Sequence, residues 1–397
     1  MTSSPSAAAS SSVANAPIFL DANATTRPLA GVIDMVAVVM RDSYANPSSA
    51  HWLGDEARRV LEAARDNITA LFPGVFPEGV IFTSGGTEGN NALLNHLGRS
   101  AEGMTLITTA VEHLSVLRPA KTFANAGGKC VVLPVTPDGL VSRDAMRDAV
   151  REACGDVLIS VQLANSETGV IQPVAQLVAE ARRARADVFV HSDVAQAVGR
   201  VPINLDALQV DVVTFSGHKI HGPQGIGAMV VRDPDERRVT PLILGGGQER
   251  GLRSGTHNVA GAAGLGLAAR TRASEFAVAV SRLAAMRDAF EIQLLDAVPQ
   301  ASVNGVRAPR VANTSSIRFA GKEAMELVGR LDAKGIACSV GSACSSAKPE
   351  PSHVLMAMGL SQAEAFSSVR FSFSILNSMD EATRAAKIVA ETLLEMR

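Results

Sequence analysis

The sequence predicts an α/β protein: a large domain built on a mostly parallel, seven-stranded sheet, followed by a smaller α+β domain. Three observations carry this. Short apolar segments rich in β-branched residues alternate with helix-like segments over residues 79–231. Most of these strands end on a polar or glycine-rich cluster, as expected where a parallel sheet presents its carboxyl ends to a ligand. Then an Ala-rich helical run at 261–282 leads into a second, separate set of strands and helices.

The elements follow in order. Residues 1–16 are Ser/Ala-rich, lack the basic start and apolar core of a secretory signal, and read as a disordered tail. Order begins near Pro17. Segment 79–84 (GVIFTS) is a short strand running through Gly85-Gly86-Thr87 into a helix at 88–97. Strands follow at 104–108, 130–135, 157–163, 187–191, 210–215 and 228–231, the last as the return strand of a hairpin-like pair. The large domain is taken as 17–271, its N-terminal segment packing on the small domain, and the small domain as 272–397. In the latter, 315–319, 337–340 and 370–374 read as strands.

Composition narrows the function classes. Hydrophobic residues are 47% and charged residues 19%, an ordinary globular balance. The net charge of −2 supplies no basic face for nucleic acid. No apolar stretch is long and unbroken enough to span a bilayer. The cysteines Cys130, Cys154, Cys338 and Cys344 form no C-x-x-C pair, which excludes the commonest zinc patterns and fits a reducing cytoplasm. No metal site is expected.

Six clusters carry candidate chemistry, each with a plainer structural reading beside it. Ser84-Gly85-Gly86-Thr87-Glu88 joins a strand to a helix, where Gly86 and Thr87 would admit and bind an anion; alone it equally describes an ordinary turn. Ser216-Gly217-His218-Lys219 ends an apolar strand and holds a lysine at a fixed point, as a Schiff base requires, whereas most single lysines are surface residues. Asp193 ends a strand and, if buried, needs a cation such as a protonated ring nitrogen, with Gln196 on the same side; a helix cap is the common use of such an Asp. His113 follows a strand and suits stacking and proton exchange, or simply a loop. Arg370 can grip a carboxylate bidentately with Asn46 sharing the task, against a surface ion pair and a turn. Cys344 sits in a Gly/Ser/Ala run that suits an exposed loop and a travelling thiol, while Cys130, Cys154 and Cys338 fit buried structural positions. His51 and His257 lie in suggestive contexts; His96 and His353 read as structural.

Taken together and in this order, the segments ANATT (22–26), NPSS (46–49), TSGGTE (83–88), EH (112–113), ANSETG (164–169), FSGHK (215–219), GGGQER (245–250) and GSAC (341–344) resemble the cysteine desulfurases of the NifS/IscS type. These belong to the class V aminotransferase group of fold-type I enzymes, which use pyridoxal 5'-phosphate (PLP). The likeness covers nearly the whole chain from Ile18 to about Ser374. It implies Lys219 as the Schiff-base lysine, Asp193 at the pyridine nitrogen, and Gln196 and Asn165 at the ring's phenolic oxygen. Thr87, Ser216 and His218 would hold the phosphate with Gly86, and Thr256 would reach the phosphate of a neighbouring subunit, so a homodimer is implied. Arg370 and Asn46 would take the carboxylate of L-cysteine, His113 would handle protons, and Cys344 would receive sulfur as a persulfide for an acceptor protein or small thiol. A selenocysteine lyase, another C–S lyase or a class V aminotransferase would share the cofactor site without needing Cys344. Relatives dedicated to iron–sulfur assembly commonly carry a further C-terminal segment that docks a scaffold; this chain stops at Met396-Arg397, which counts against that partner.

Overall fold

A computed structural model describes residues 16–98, 103–236, 238–341 and 350–396, without the side chains of 95–98. The expected N-terminal tail, apart from Ala16, and Cys344 lie outside these residues.

The chain starts with β1 (Ile18–Phe19), then α1 (Ala30–Asp42) and α2 (Trp52–Thr69). There follow β2 (Val80–Thr83), α3 (Gly86–Gly98), β3 (Met104–Thr109), α4 (Leu114–Asn125), β4 (Lys129–Leu133), α5 (Arg143–Arg151), β5 (Asp156–Ser160) and α6 (Val174–Ala184). Next come β6 (Phe189–Asp193), α7 (Leu205–Leu208), β7 (Val212–Ser216) and β8 (Gly227–Val231). The seven strands from β2 to β8 form one sheet in the order β2-β8-β7-β6-β5-β3-β4. All pairs are parallel except those of β8, which runs antiparallel to both β2 and β7. The expected α/β class and the seven-stranded sheet are both present, and the β8 hairpin is its one irregularity.

Strands β2, β6, β7 and β8 are buried along their whole length, as their Val, Ile and Phe content demands of strands covered on both faces. Edge strand β4 is half exposed. That exposure corrects one expectation: Cys130, on β4, is only half-buried. Cys154 is exposed because it lies in the turn between α5 and β5 rather than inside an apolar element.

Helix α8 (Val259–Ser274) packs on α1 and α2 and contributes Ala262, Leu265 and Ala269 to the core around the sheet. Helix α9 (Phe276–Ala297) instead feeds Leu283, Met286, Phe290 and Leu294 into a second cluster. This cluster is completed by β9 (Ala301–Val303), β10 (Thr314–Phe319), α10 (Ala324–Ala333), β11 (Ile336–Ala337), β12 (Ser368–Ser372) and α13 (Met379–Glu395), while the short helices α11 (His353–Ala357) and α12 (Gln362–Phe366) form a separate small apolar patch. Phe290 anchors the larger cluster, with ring centroids 4.9 Å from Phe371 and 5.6 Å from Phe373. Ile18 and Leu20 belong to the same cluster, and β1 pairs with β11. Beyond β11 the strand expected over 337–340 is reduced to a bridge between Ser339 and Arg370. That bridge brings the start of β12 to the edge of the site.

Candidate active site

The carboxyl ends of β6 and β7 place the central residues. Asp193 is the last residue of β6 and pairs in register with Thr214; Ser216 ends β7, and a tight 3-10 turn over Gly217–Lys219 follows it. These residues open on a cavity of about 510 Å³ lined by Asp193, Gln196, Ser216, His218, Lys219, Gly86, Thr87, His113 and Arg370. Strand ends in a twisted parallel sheet converge on such a crevice, so residues far apart in sequence share one chamber.

One end of the chamber is an anion cradle. The first turn of α3 leaves backbone N–H groups without intrahelical acceptors. The Gly86 N–H donates to Ser216 Oγ at 2.7 Å, which ties the helix start to the end of β7. The Ser84 N–H donates to Glu88, and Glu88 is paired with Arg253 at 3.0 Å, so the loop is pinned from its outer side. Gly227 makes the approach possible: a Cβ there would lie 2.4 Å from the Phe215 carbonyl oxygen and 2.7 Å from Gly85 Cα. His218 Nδ1 lies 3.1 Å from Thr25 Oγ1 on the wall of this cradle. Burial, with neighbouring Lys219, pushes the His218 pKa down to about 4, so it is neutral there.

Lys219 donates to the backbone carbonyls of Asn23 and Ala24. Burial chiefly, then the charges of Arg200 and Arg370, pulls its pKa down to about 8, with Asp193 and Asp21 opposing. Asp193 is buried, and its carboxylate accepts from the Asn90 amide at 2.8 Å and the Ala195 N–H at 2.9 Å. Among the described residues no cation pairs with it. A buried carboxylate with no ion-pair partner is expensive unless a ligand brings one.

Arg370 is buried and donates to Asp21 at 2.6 Å and to the Ser166 carbonyl at 3.1 Å, while its Nε has no partner. Arg370 lines the chamber, and a guanidinium there is the natural seat for a carboxylate. His113 caps the N-terminus of α4 and lines the chamber. Beside it Glu112 is fully buried, and burial drives its carboxyl up to about 8 despite donors from Gln162 and Thr109.

Two expected residues, Asn165 and Asn46, make other contacts, and Thr256 stands outside the chamber of its own chain. The Asn165 side chain is committed to its own turn: its Oδ1 accepts from the N–H groups of Glu167 and Thr168, and its Nδ2 donates to the Val111 carbonyl. It holds the chamber wall rather than lining it. Asn46 is exposed and accepts from the Ser48 N–H in a tight turn outside the chamber. Thr256 is exposed and does not reach the cradle of its own chain. Gln196 does line the chamber, with its amide donating to the Asn23 carbonyl and accepting from Arg200.

Sequence reasoning missed Asn90, Ser115, Asp21, Thr25 and Arg200, and it read His353 as purely structural although its ring lines the chamber. Asn90 had a signal. It lies on the same buried helix face as Leu93 and Leu94, and a polar residue at a core position of a helix asks for a partner. His51 caps α2, accepting from the Gly54 N–H, and His257 pairs with Glu249 at 3.0 Å; both are outside the chamber.

The aminotransferase class-V family model matches residues 18–384. The chain belongs to this family. Its relatives include the cysteine desulfurase IscS of Dictyoglomus turgidum, 35% identical over 382 residues and covering 96% of this chain and 95% of that protein. The cysteine desulfurase of Bradyrhizobium diazoefficiens is 38% identical over 383 residues, with 96% of each chain covered. Among solved structures, a NifS-like protein superposes with a TM-score of 0.88 at 33% identity over 96% of this chain and all of that one. SspA in complex with cysteine gives 0.79 at 31% identity, covering 91% of this chain and 100% of that one. The family and the fold expected from the sequence are thus both shown.

Proposed function

We propose that the protein is a PLP-dependent cysteine desulfurase that converts L-cysteine to L-alanine and leaves the sulfur as a persulfide on Cys344. The observation that carries this is the chamber itself. It combines a lysine of lowered pKa, a buried carboxylate lacking a cation, an anion cradle and a guanidinium with a spare donor, in a chain 35–39% identical to proteins named cysteine desulfurases.

The residues fit PLP on their own chemistry. Asp193 would face the ring nitrogen, whose proton supplies the missing cation. Gly86, Thr87, Ser216 and His218 would hold the phosphate, and Lys219 is the covalent attachment point. When bound, PLP supplies an aldehyde for the substrate amine and a ring that takes up charge from the α-carbon.

Arg370, which lines the chamber, seats the substrate carboxylate and so orients the thiol. Lys219, with its pKa lowered to about 8, would serve as the base for the α-proton once the substrate amine has taken its place on the cofactor. The His113 imidazole hydrogen-bonds in the same chamber. The Cys344 thiolate attacks the substrate sulfur: an S–S bond forms, the C–S bond breaks, and the carbon is protonated to give alanine.

A homodimer belongs to this reading. Helix α1 and the start of α2 expose Ile33, Val38, Met40, Tyr44 and Trp52, and Leu244 is exposed in the segment leading to Thr256. Covering that apolar surface with a second copy would bring Thr256 to the partner's cradle. Among the described residues no helix is long and apolar enough to cross a membrane, and we place the reaction in the reducing cytoplasm, with an acceptor protein or small thiol taking the sulfur.

The test is C344A, assayed for alanine and sulfide release from L-cysteine, with mass spectrometry of the wild-type peptide carrying Cys344 after exposure to cysteine. One added sulfur atom on that peptide and loss of turnover in the variant are expected. Full turnover by C344A would reject the mechanism.

A further inference from the structure

We propose that His113 works as a neutral imidazole locked in one tautomer, with its proton on Nε2, and that Ser115 and Asn90 are the positioning residues that enforce this. The role rests on the chamber assigned above, but its physical basis is a hydrogen-bond chain that can be read donor by donor.

The chain starts from a group whose role is fixed. Asp193 takes two donors, the Ala195 N–H on Oδ1 at 2.9 Å and Asn90 on Oδ2 at 2.8 Å, so the Asn90 atom facing it is the amide nitrogen. The other hydrogen of that amide goes to Ser115 Oγ at 2.8 Å. Asn90 Oδ1 then accepts from the Thr214 hydroxyl. Thr214 has spent its proton, so it accepts from His191 Nε2 at 3.0 Å, and His191 Nδ1 accepts from the Ser160 hydroxyl at 2.9 Å. Burial keeps His191 neutral, with its pKa pushed down to about 4, in agreement with a single proton on that ring.

At the other end, Ser115 Oγ already accepts from Asn90, and its own hydrogen points to His113 Nδ1 at 2.7 Å. The Ser115 backbone N–H donates to the same nitrogen at 3.1 Å, as the cap of α4. Two donors therefore converge on Nδ1. A proton on that nitrogen would face the Ser115 N–H head-on and lie at the positive end of the helix, both unfavourable. The only nitrogen left to carry a hydrogen is Nε2. The charged and titratable groups around the ring agree in sum: burial first, and Lys219, His353 and Arg118, lower its pKa, with Asp193 alone opposing.

The consequence is a division of labour. His113 offers a hydrogen-bond donor toward the chamber and does not cycle through imidazolium, so the proton leaving the α-carbon goes to Lys219. Asn90 joins Asp193 to the histidine through its amide and the Ser115 hydroxyl.

The experiment is long-range proton–nitrogen NMR on the holoenzyme with nitrogen-15 histidine, from about pH 5 to about pH 8, the range over which a free histidine titrates. The H113Q variant assigns the signals. The expected result is an Nε2–H tautomer that does not titrate at the ordinary midpoint near 6.5. S115A, which removes one donor, should raise the His113 midpoint by about one unit, the equivalent of one ordinary hydrogen bond, and S115T should restore it. Titration of the wild-type ring with an ordinary midpoint, an Nδ1–H tautomer, or no shift in S115A would overturn the proposal. None of these readouts depends on turnover, so a failure of the desulfurase reading would show separately in the alanine and sulfide assay.

Discussion

The amine of Lys219 must be neutral to attack a carbonyl, and its pKa of about 8 against an ordinary 10.5 makes a quantitative prediction. At pH 7 about one amine in ten is neutral at the lower value, against about one in three thousand at the ordinary one, a gain of ~300-fold. The apoenzyme should therefore capture added PLP with a rate that climbs about tenfold per pH unit up to pH ~8 and then levels off. Stopped-flow absorbance across this range measures it. The cause is testable too. Arg200 is the first-ranking charge acting on Lys219; it is fully buried, and burial with Arg272 and Arg370 lowers its own pKa only to about 9, so it stays a cation. R200Q removes a positive charge, so the break should move to higher pH. A rate that keeps rising past about pH 10 in the wild type, or a break that stays fixed in R200Q, would refute the electrostatic account.

Three further outcomes follow from the geometry. R370K loses the paired donors for a carboxylate while keeping the charge; one charge-assisted hydrogen bond of about 1.5–3 kcal/mol corresponds to a KM for L-cysteine raised roughly 10- to 150-fold, with a much smaller change for cysteamine, which has no carboxylate. G227A would force a methyl group against the Phe215 carbonyl and Gly85 Cα, and should cost about 1–3 kcal/mol in denaturant unfolding and weaken retention of PLP on dialysis. Cys338 is held inert: burial first, aided by Asp21, pushes its thiol up to about 12, so C338A should keep turnover and iodoacetamide should leave Cys338 unlabelled in the native protein at neutral pH.

How much of this was legible beforehand depended on what each residue type can conceal. The strands of the sheet announced themselves because a strand buried on both faces must be a run of Val, Ile, Leu and Phe, and segments such as VVTFS have few other uses. Asp193 and Ser216 were legible because each ends such a run, and Lys219 because it follows in the turn just after one; the end of a parallel strand is where polar side chains escape the core. Asn165, Asn46 and Cys154 were harder for the opposite reason. Asn serves a backbone turn as readily as a ligand, and only the observed acceptors of Asn165 and the exposure of Asn46 decide between the two. Cys154 sits three residues past an amphipathic helix, where the chain has already turned outward.

The polar chain from Ser160 to His113 belongs to a third kind of information. Its members come from five elements, β5, β6, β7, α3 and α4, or their caps, and none is remarkable locally: Ser, His, Thr and Asn are each ordinary residues near a strand end or helix start. What makes them a unit is that they are buried together, since a buried hydroxyl or amide costs free energy until it finds a partner. The Asn90 amide hands its hydrogens to Asp193 and Ser115, and the Ser115 backbone N–H makes His113 Nδ1 an acceptor. The tautomer of His113 is therefore set by Ser115, whose backbone N–H and hydroxyl meet its Nδ1, with the Asn90 amide behind that hydroxyl. That is why its neighbours in sequence, Glu112 and Leu114, say less about its chemistry than Asn90, which lies twenty-three positions earlier in the chain.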